Sequence, residues 1–90
     1  MHFPNSFTPN HDKLNDVWRP IFYGDFQGGS YSLSIFDRWG KRVFLSVIID
    51  MGWDGTYKDK PCEEGIYSWE MEIEATGVNT KKKGMITLYR

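Results

Sequence analysis

Gly65-Ile66-Tyr67-Ser68-Trp69-Glu70-Met71-Glu72-Ile73-Glu74-Ala75 reads in steps of two. Tyr67, Trp69, Met71, Ile73 and Ala75 fall on one side, and Ser68, Glu70, Glu72 and Glu74 on the other. Successive side chains of a strand point to opposite faces. The segment is therefore a strand with one buried and one solvated face, as antiparallel sheets provide. On a helix the same glutamates would be scattered around the circumference.

The same period extends outward. Tyr31, Leu33 and Ile35 alternate with Ser32 and Ser34, and Gly84–Arg90 sets Ile86 and Leu88 opposite Met85, Thr87 and Tyr89. Arg42–Ile49 has the composition of a buried strand. Phe3–Thr8 contains Pro4, which suits an edge or a strand start, and Val17–Tyr23 is broken by Pro20. Turn signals separate these runs at Pro9-Asn10, Gly24-Asp25, Gly28-Gly29, Trp39-Gly40, Asp54-Gly55, Glu64-Gly65 and Gly77-Val78-Asn79. No ten-residue stretch carries a helical period. Six or seven short strands with this punctuation predict an all-β sandwich occupying residues 1–90 as one domain.

Composition narrows the class. The 90 residues are 40% hydrophobic, with four Trp, five Tyr and six Phe, and the net charge is −1. That is too apolar and too weakly charged for a disordered chain, and it gives no reason to expect nucleic acid as a partner. No run of 18 apolar residues is present to span a membrane as a helix, and the first residues lack the basic-then-apolar pattern of a signal peptide. A single cysteine, Cys62, excludes an internal disulfide and a zinc site built on paired cysteines. Eight of the twelve acids lie between Asp50 and Glu74, whereas the last ten residues hold Lys81, Lys82, Lys83 and Arg90 and no acid. Strands paired between these regions would be electrostatically complementary, but the pattern reads first as a solvated sheet face.

Three motifs stand out. Phe7–Asp16 is a polar loop in which Asn10, Asp12, Asn15 and Asp16 gather oxygens. Such a set suits calcium, with Asp12, Asn15 and Asp16 as metal ligands; it suits Asx-turns as well. Ile35–Phe44 reads as a hairpin turning at Trp39-Gly40, with Gly40 supplying positive φ and Arg38 free to stack on an aromatic ring. In Gly52-Trp53-Asp54-Gly55-Thr56, Trp53 precedes a tight turn and reads as an anchor pinning a loop to the core rather than as a sugar-stacking platform. Gly65 leads into the strand bearing Tyr67 and Trp69.

Catalytic constellations are not evident. His2 and His11 are the only histidines, no Ser-His-acid context is recognisable, and the acids next to Cys62 disfavour a thiolate nucleophile. No glycine-rich phosphate loop is present. The expectation is a non-enzymatic domain.

Taken in order, Pro4-Asn5-Ser6-Phe7-Thr8-Pro9-Asn10, Asp12, Leu14-Asn15-Asp16, Ile35-Phe36-Asp37-Arg38-Trp39-Gly40, Val43-Phe44, Gly52-Trp53-Asp54-Gly55-Thr56, Gly65-Ile66-Tyr67 and Gly84–Arg90 closely resemble the gliding-motility-associated C-terminal domain of Bacteroidetes. This is the type B sorting domain of the type IX secretion system, and the resemblance runs from Phe3 to Arg90. It implies an immunoglobulin-like, antiparallel β-sandwich of about seven strands at the C-terminus of a larger secreted or cell-surface protein. The parent would carry its own signal peptide upstream. The domain would address that parent to the type IX translocon with the help of an outer-membrane partner protein. The Gly-Trp-Asp-Gly and Gly-x-Tyr elements are also similar to the immunoglobulin-like part of flagellar hook-capping proteins.

Where the family reads Asn-Gly-Asp-Gly, this chain has Asn10-His11-Asp12-Lys13, and neither His11 nor Lys13 takes positive φ as cheaply as glycine. Leu45-Ser46-Val47-Ile48-Ile49 is more apolar than the family's usual stretch, as an extended strand or an exposed association patch would be.

The expected core is Phe7, Leu33, Ile35, Val43, Tyr67, Trp69, Met71, Ile73 and Leu88. Partner recognition is assigned to Thr8, Pro9, Asn10, Asp12, Asn15 and Asp16, to Arg38, Trp39 and Gly40, and to a C-terminal edge strand ending at Arg90. Trp53, Asp54, Gly55, Gly65 and Tyr67 are assigned to structure. The alternative is a calcium-stabilised carbohydrate- or surface-binding β-sandwich module. It predicts glycan affinity and a melting temperature lowered by chelators. Neither reading sets an oligomeric state.

Overall fold

The structure, a computed structural model, describes residues 2–9, 17–21, 29–75 and 77–89. Among them no helix forms. Seven strands are present: β1 (Ser6–Phe7), β2 (Ser30–Phe36), β3 (Arg42–Ser46), β4 (Thr56–Tyr57), β5 (Lys60–Pro61), β6 (Gly65–Ala75) and β7 (Val78–Leu88). Five of them make one sheet in the order β1-β7-β6-β2-β3, and β4 and β5 make a two-stranded ribbon.

The period-two segments lie at the centre of the large sheet. β6 pairs antiparallel with β2 and with β7, placing Leu33 beside Met71, Ile35 beside Trp69 and Tyr67 beside Ile86. All nine expected core residues are buried, together with Trp18, Tyr31, Trp53 and Ile86. The solvated face carries the charges. Glu72 stands opposite Lys81 and Glu70 opposite Lys83, and Lys81 Nζ lies 3.5 Å from Glu72 Oε2.

The buried face is covered by segments held together by short antiparallel bridges. His2 and Ile21 exchange both backbone hydrogen bonds at 2.7 Å, and Trp18 and Trp53 exchange theirs at 2.8 Å. After His2 the chain crosses at Pro4, whose carbonyl accepts from Trp18 Nε1 at 2.7 Å, and joins the large sheet as β1. The order β7-β6-β2-β3 corresponds to the G-F-C-C′ sheet of a variable-type immunoglobulin sandwich. Tyr67, near the start of β6, donates its hydroxyl to the Glu63 carbonyl at 2.6 Å. This is the tyrosine corner that such sandwiches place at the start of strand F.

Several expectations are corrected. One pairing is parallel, β1 with β7, because the first segment changes sheets and arrives from the opposite side. The C-terminal strand is therefore not an edge where it ends: Thr87 and Leu88 lie between β6 and β1. It begins at Val78 rather than Gly84, and β3 stops at Ser46 rather than Ile49. There the Ser46 hydroxyl accepts from Ile48 N at 3.1 Å and donates to Ile48 O at 3.0 Å, a local loop that competes with the ladder. Val47 and Ile48 are consequently exposed. In place of a Val17–Tyr23 strand, residues 17–21 make single bridges, and Phe22 and Tyr23 lie outside the described residues.

Candidate functional site: one end of the sheet

Register brings several sequence motifs to one end of the molecule. Phe7 pairs with Leu88, Leu88 with Gly65, and Phe36 with both Ser68 and Arg42. The chain after β1, the turn between β2 and β3, the start of β6 and the end of β7 therefore emerge together. Thr8 and Pro9 are at this end, half-buried. Asn10, Asp12, Asn15, Asp16 and Arg90 lie outside the described residues, and with them the proposed calcium ligands.

The β2–β3 turn is fixed from inside. Asp37 Oδ1 accepts from the backbone N–H of Trp39 and of Lys41, each at 2.9 Å. Asp37 N donates to Lys41 O at 2.9 Å, and Gly40 N to Asp37 O at 3.0 Å. Gly40 takes φ 83°, a conformation that costs other residues strain. The result is a rigid turn that presents Trp39 with 79% of its surface exposed. The Arg38 guanidinium lies over that ring, 5.0 Å from its centroid, a cation–π contact the sequence suggested without naming the ring.

The Gly52–Thr56 motif builds the adjoining wall. Trp53 is completely buried, its ring 5.0 Å from Tyr67 and 5.4 Å from Phe7, and its Nε1 donates to Thr56 O at 2.9 Å. Asp54 Oδ1 accepts from Thr56 N at 3.1 Å and from Thr56 Oγ1 at 2.6 Å, closing an Asx-turn. Gly55, at φ 82°, accepts from Cys62 N through its carbonyl at 2.7 Å. These contacts aim the β4–β5 ribbon across the β2–β3 turn. Between them lies an open cleft of about 380 Å³ lined by Arg38, Trp39, Lys41, Tyr57, Lys60, Glu63 and Glu64, with Tyr67 at its base. Burial raises the Tyr67 hydroxyl above its ordinary pKa, aided by neighbouring Cys62, Glu63 and Asp37. The hydroxyl therefore stays protonated at neutral pH and continues to donate to Glu63 O.

Tyr57 and Lys58 were not singled out in the sequence. The Tyr57 ring is approached by Lys41 Nζ at 4.5 Å and by Lys58 Nζ at 5.4 Å. Two-residue strands are too short to show a period, so nothing local marked this ribbon. The cleft offers cations, carboxylates and exposed aromatic surface, which suits contact with another molecule.

Comparison with known proteins decides the family. The type IX secretion signal domain, CHU_C, matches residues 1–88. The chain belongs to this family. A type IX secretion signal domain is a sorting module for secreted or cell-surface cargo, and it implies interaction with the secretion machinery. Gliding motility and Bacteroidetes, the setting suggested by the sequence resemblance, are consistent with that family. No curated protein and no solved structure matches the chain. Among the described residues, no helix is long and apolar enough to cross a membrane.

Proposed function

We propose that this type IX signal domain is read as a folded surface, by an outer-membrane partner protein that hands its parent to the translocon. The recognised surface is the end of the sheet bearing Arg38, Trp39 and Gly40, with Thr8, Pro9, the loop through Asn10, Asp12, Asn15 and Asp16, and the terminus at Arg90. Residues 1–90 act as a single C-terminal unit of a larger protein that carries its own signal peptide and passes through the periplasm. The supporting observation is Trp39: a large apolar ring left 79% exposed on a turn that five-residue hydrogen bonding holds rigid. Exposed aromatic side chains on rigid supports serve as interface anchors.

The test is export of a fluorescent reporter with an N-terminal signal peptide and this domain at its C-terminus, in a Bacteroidetes host with and without a working type IX translocon. Wild-type reporter is expected outside the cell only when the translocon works. Trp39→Ala is expected to cut export at least about tenfold, the size of an anchor residue's contribution, while the melting temperature of the 90-residue chain is retained. Export of the Trp39→Ala reporter at wild-type level would overturn the assignment of this surface.

A further inference from the structure

We propose that the cluster formed by Arg38, Lys41 and Lys58 around Trp39 and Tyr57 docks a carboxylate-bearing segment of the protein partner. This rests on the reading that this end of the sheet is the recognised surface, and it names the chemistry that the surface selects.

Three observations converge. First, Lys41 and Lys58 come from different elements, the β2–β3 turn and the β4–β5 ribbon, yet both ammonium groups approach the Tyr57 ring, at 4.5 and 5.4 Å from its centroid. Neither has a carboxylate ion-pair partner among the described residues. Two cations drawn to one ring repel each other, and an arriving anion relieves that repulsion. Second, Lys58 and Asp59 both have positive φ, 51° and 66°, the geometry of a type I′ turn, which favours Asn-Gly. A lysine held in the left-handed region carries backbone strain, and such strain gathers at functional positions. Here it positions the Lys58 ammonium over the Tyr57 ring. Third, Arg38 is held over the face of the exposed Trp39, its guanidinium 5.0 Å from the ring centroid. A guanidinium held this way loses less freedom when it grips a carboxylate.

The same end argues for a protein segment over an anionic membrane. Glu63, Glu64 and Asp37 line the cleft along with Lys41 and Lys60, and Asp54 and Asp59 lie close by in the sequence of the same loops. The summed field is thus mixed, and a charged lipid sheet would meet the acids along with the bases. A single carboxylate side chain, unlike a charged sheet, can enter a cleft of about 380 Å³ whose lining includes Arg38 and Lys41. The contact is short-ranged and survives screening that weakens distant charges.

The first arm uses the complete 90-residue chain and two probes: a hexaglutamate peptide, and vesicles of phosphatidylcholine and phosphatidylglycerol. Backbone amide resonances of 38–41 and 57–60 are expected to shift saturably with the peptide. The double variant Lys41→Ala/Lys58→Ala is expected to bind it roughly tenfold more weakly, about what the loss of two such charge contacts amounts to. No saturable shift, an unchanged affinity in the variant, or shifts with vesicles alone would each overturn the proposal. The second arm is reporter export with Lys41→Glu/Lys58→Glu, expected to fall to the level of Trp39→Ala. Normal export of the glutamate variant, with Trp39→Ala still blocked, would reject the acidic partner and keep the recognised surface. Normal export of both would reject the surface and the acidic partner together.

Discussion

Trp53 has no exposed surface, although its neighbours Gly52, Asp54 and Gly55 are turn-forming residues. Its ring packs on Phe7 and Tyr67 and its Nε1 holds Thr56 O, so one side chain ties β1, β6 and the β4–β5 ribbon together. The anchoring role was legible because tryptophan before Asp-Gly has little reason to lie in water. Trp18 was not legible. It sits between Val17 and Arg19, two residues before Pro20, and it pairs with Trp53, 35 positions away in sequence. Tyr31 offers a test at this scale. Burial pushes its pKa up to about 12, against a smaller opposing pull from Arg19. An unfolded tyrosine titrates near 10. Above that pH the unfolded chain gives up a proton that the folded chain retains, so this contribution is complete below pH 10 and is lost as the pH climbs toward 12. Urea unfolding at stepped pH should show stability declining across that window, and Tyr31→Phe should flatten the decline. An unaltered slope in the variant would remove Tyr31 from the account.

The β6–β7 hairpin shows where reading by period succeeds and where it stops. β6 was legible along its whole length, because each of its buried side chains has a solvated neighbour. The first half of β7 was hidden by Lys81-Lys82-Lys83, three exposed residues in a row that break the alternation. Gly84 looked like the start of the strand and is instead its middle. It pairs with Trp69, and a Cβ there would lie 2.8 Å from Trp69 Cζ2. Phe3 stacks on the same indole, 4.3 Å between centroids and 16° from parallel. The ring is held on two sides and has little room to retreat. Gly84→Val is therefore expected to destabilise by roughly 1–3 kcal/mol, the usual range for overpacking, despite valine's better fit to a strand. Equilibrium unfolding measures it, and a lost near-ultraviolet signal from Trp69 would identify the cause. A neutral result would mean that the ring moves freely. By contrast the Lys81–Glu72 pair is largely solvated and contributes little.

At the scale of the whole molecule, topology gathers motifs that are far apart in the chain. Thr8, Arg38, Trp39 and Gly65 belong to one end because strand directions and register put them there. The sequence named the turn and the loop but not their adjacency, which no local pattern encodes. It missed Tyr57 and Lys58 for the same reason. The architecture also shows what a truncation would measure. Removing 84–90 deletes Ile86 and Leu88 from the core and leaves β1 without its partner. The shortened chain is expected to lose cooperative thermal unfolding and, with it, export. A shortened chain that melts cooperatively like the full one would contradict the closing role of β7. Loss of export on truncation would thus reflect loss of fold, and only surface variants such as Trp39→Ala separate recognition from folding.

The parallel contact between β1 and β7 also orders events in time. A ribosome delivers β1 some 80 residues before it delivers Thr87 and Leu88, the residues that stand opposite β1 in the sheet. Until then Phe7 has no strand to lie against, and the sheet cannot close however well β2 and β3 have already formed. Premature termination upstream of β7 leaves this address unwritten. The finished surface thus reports that translation has run through nearly the whole domain.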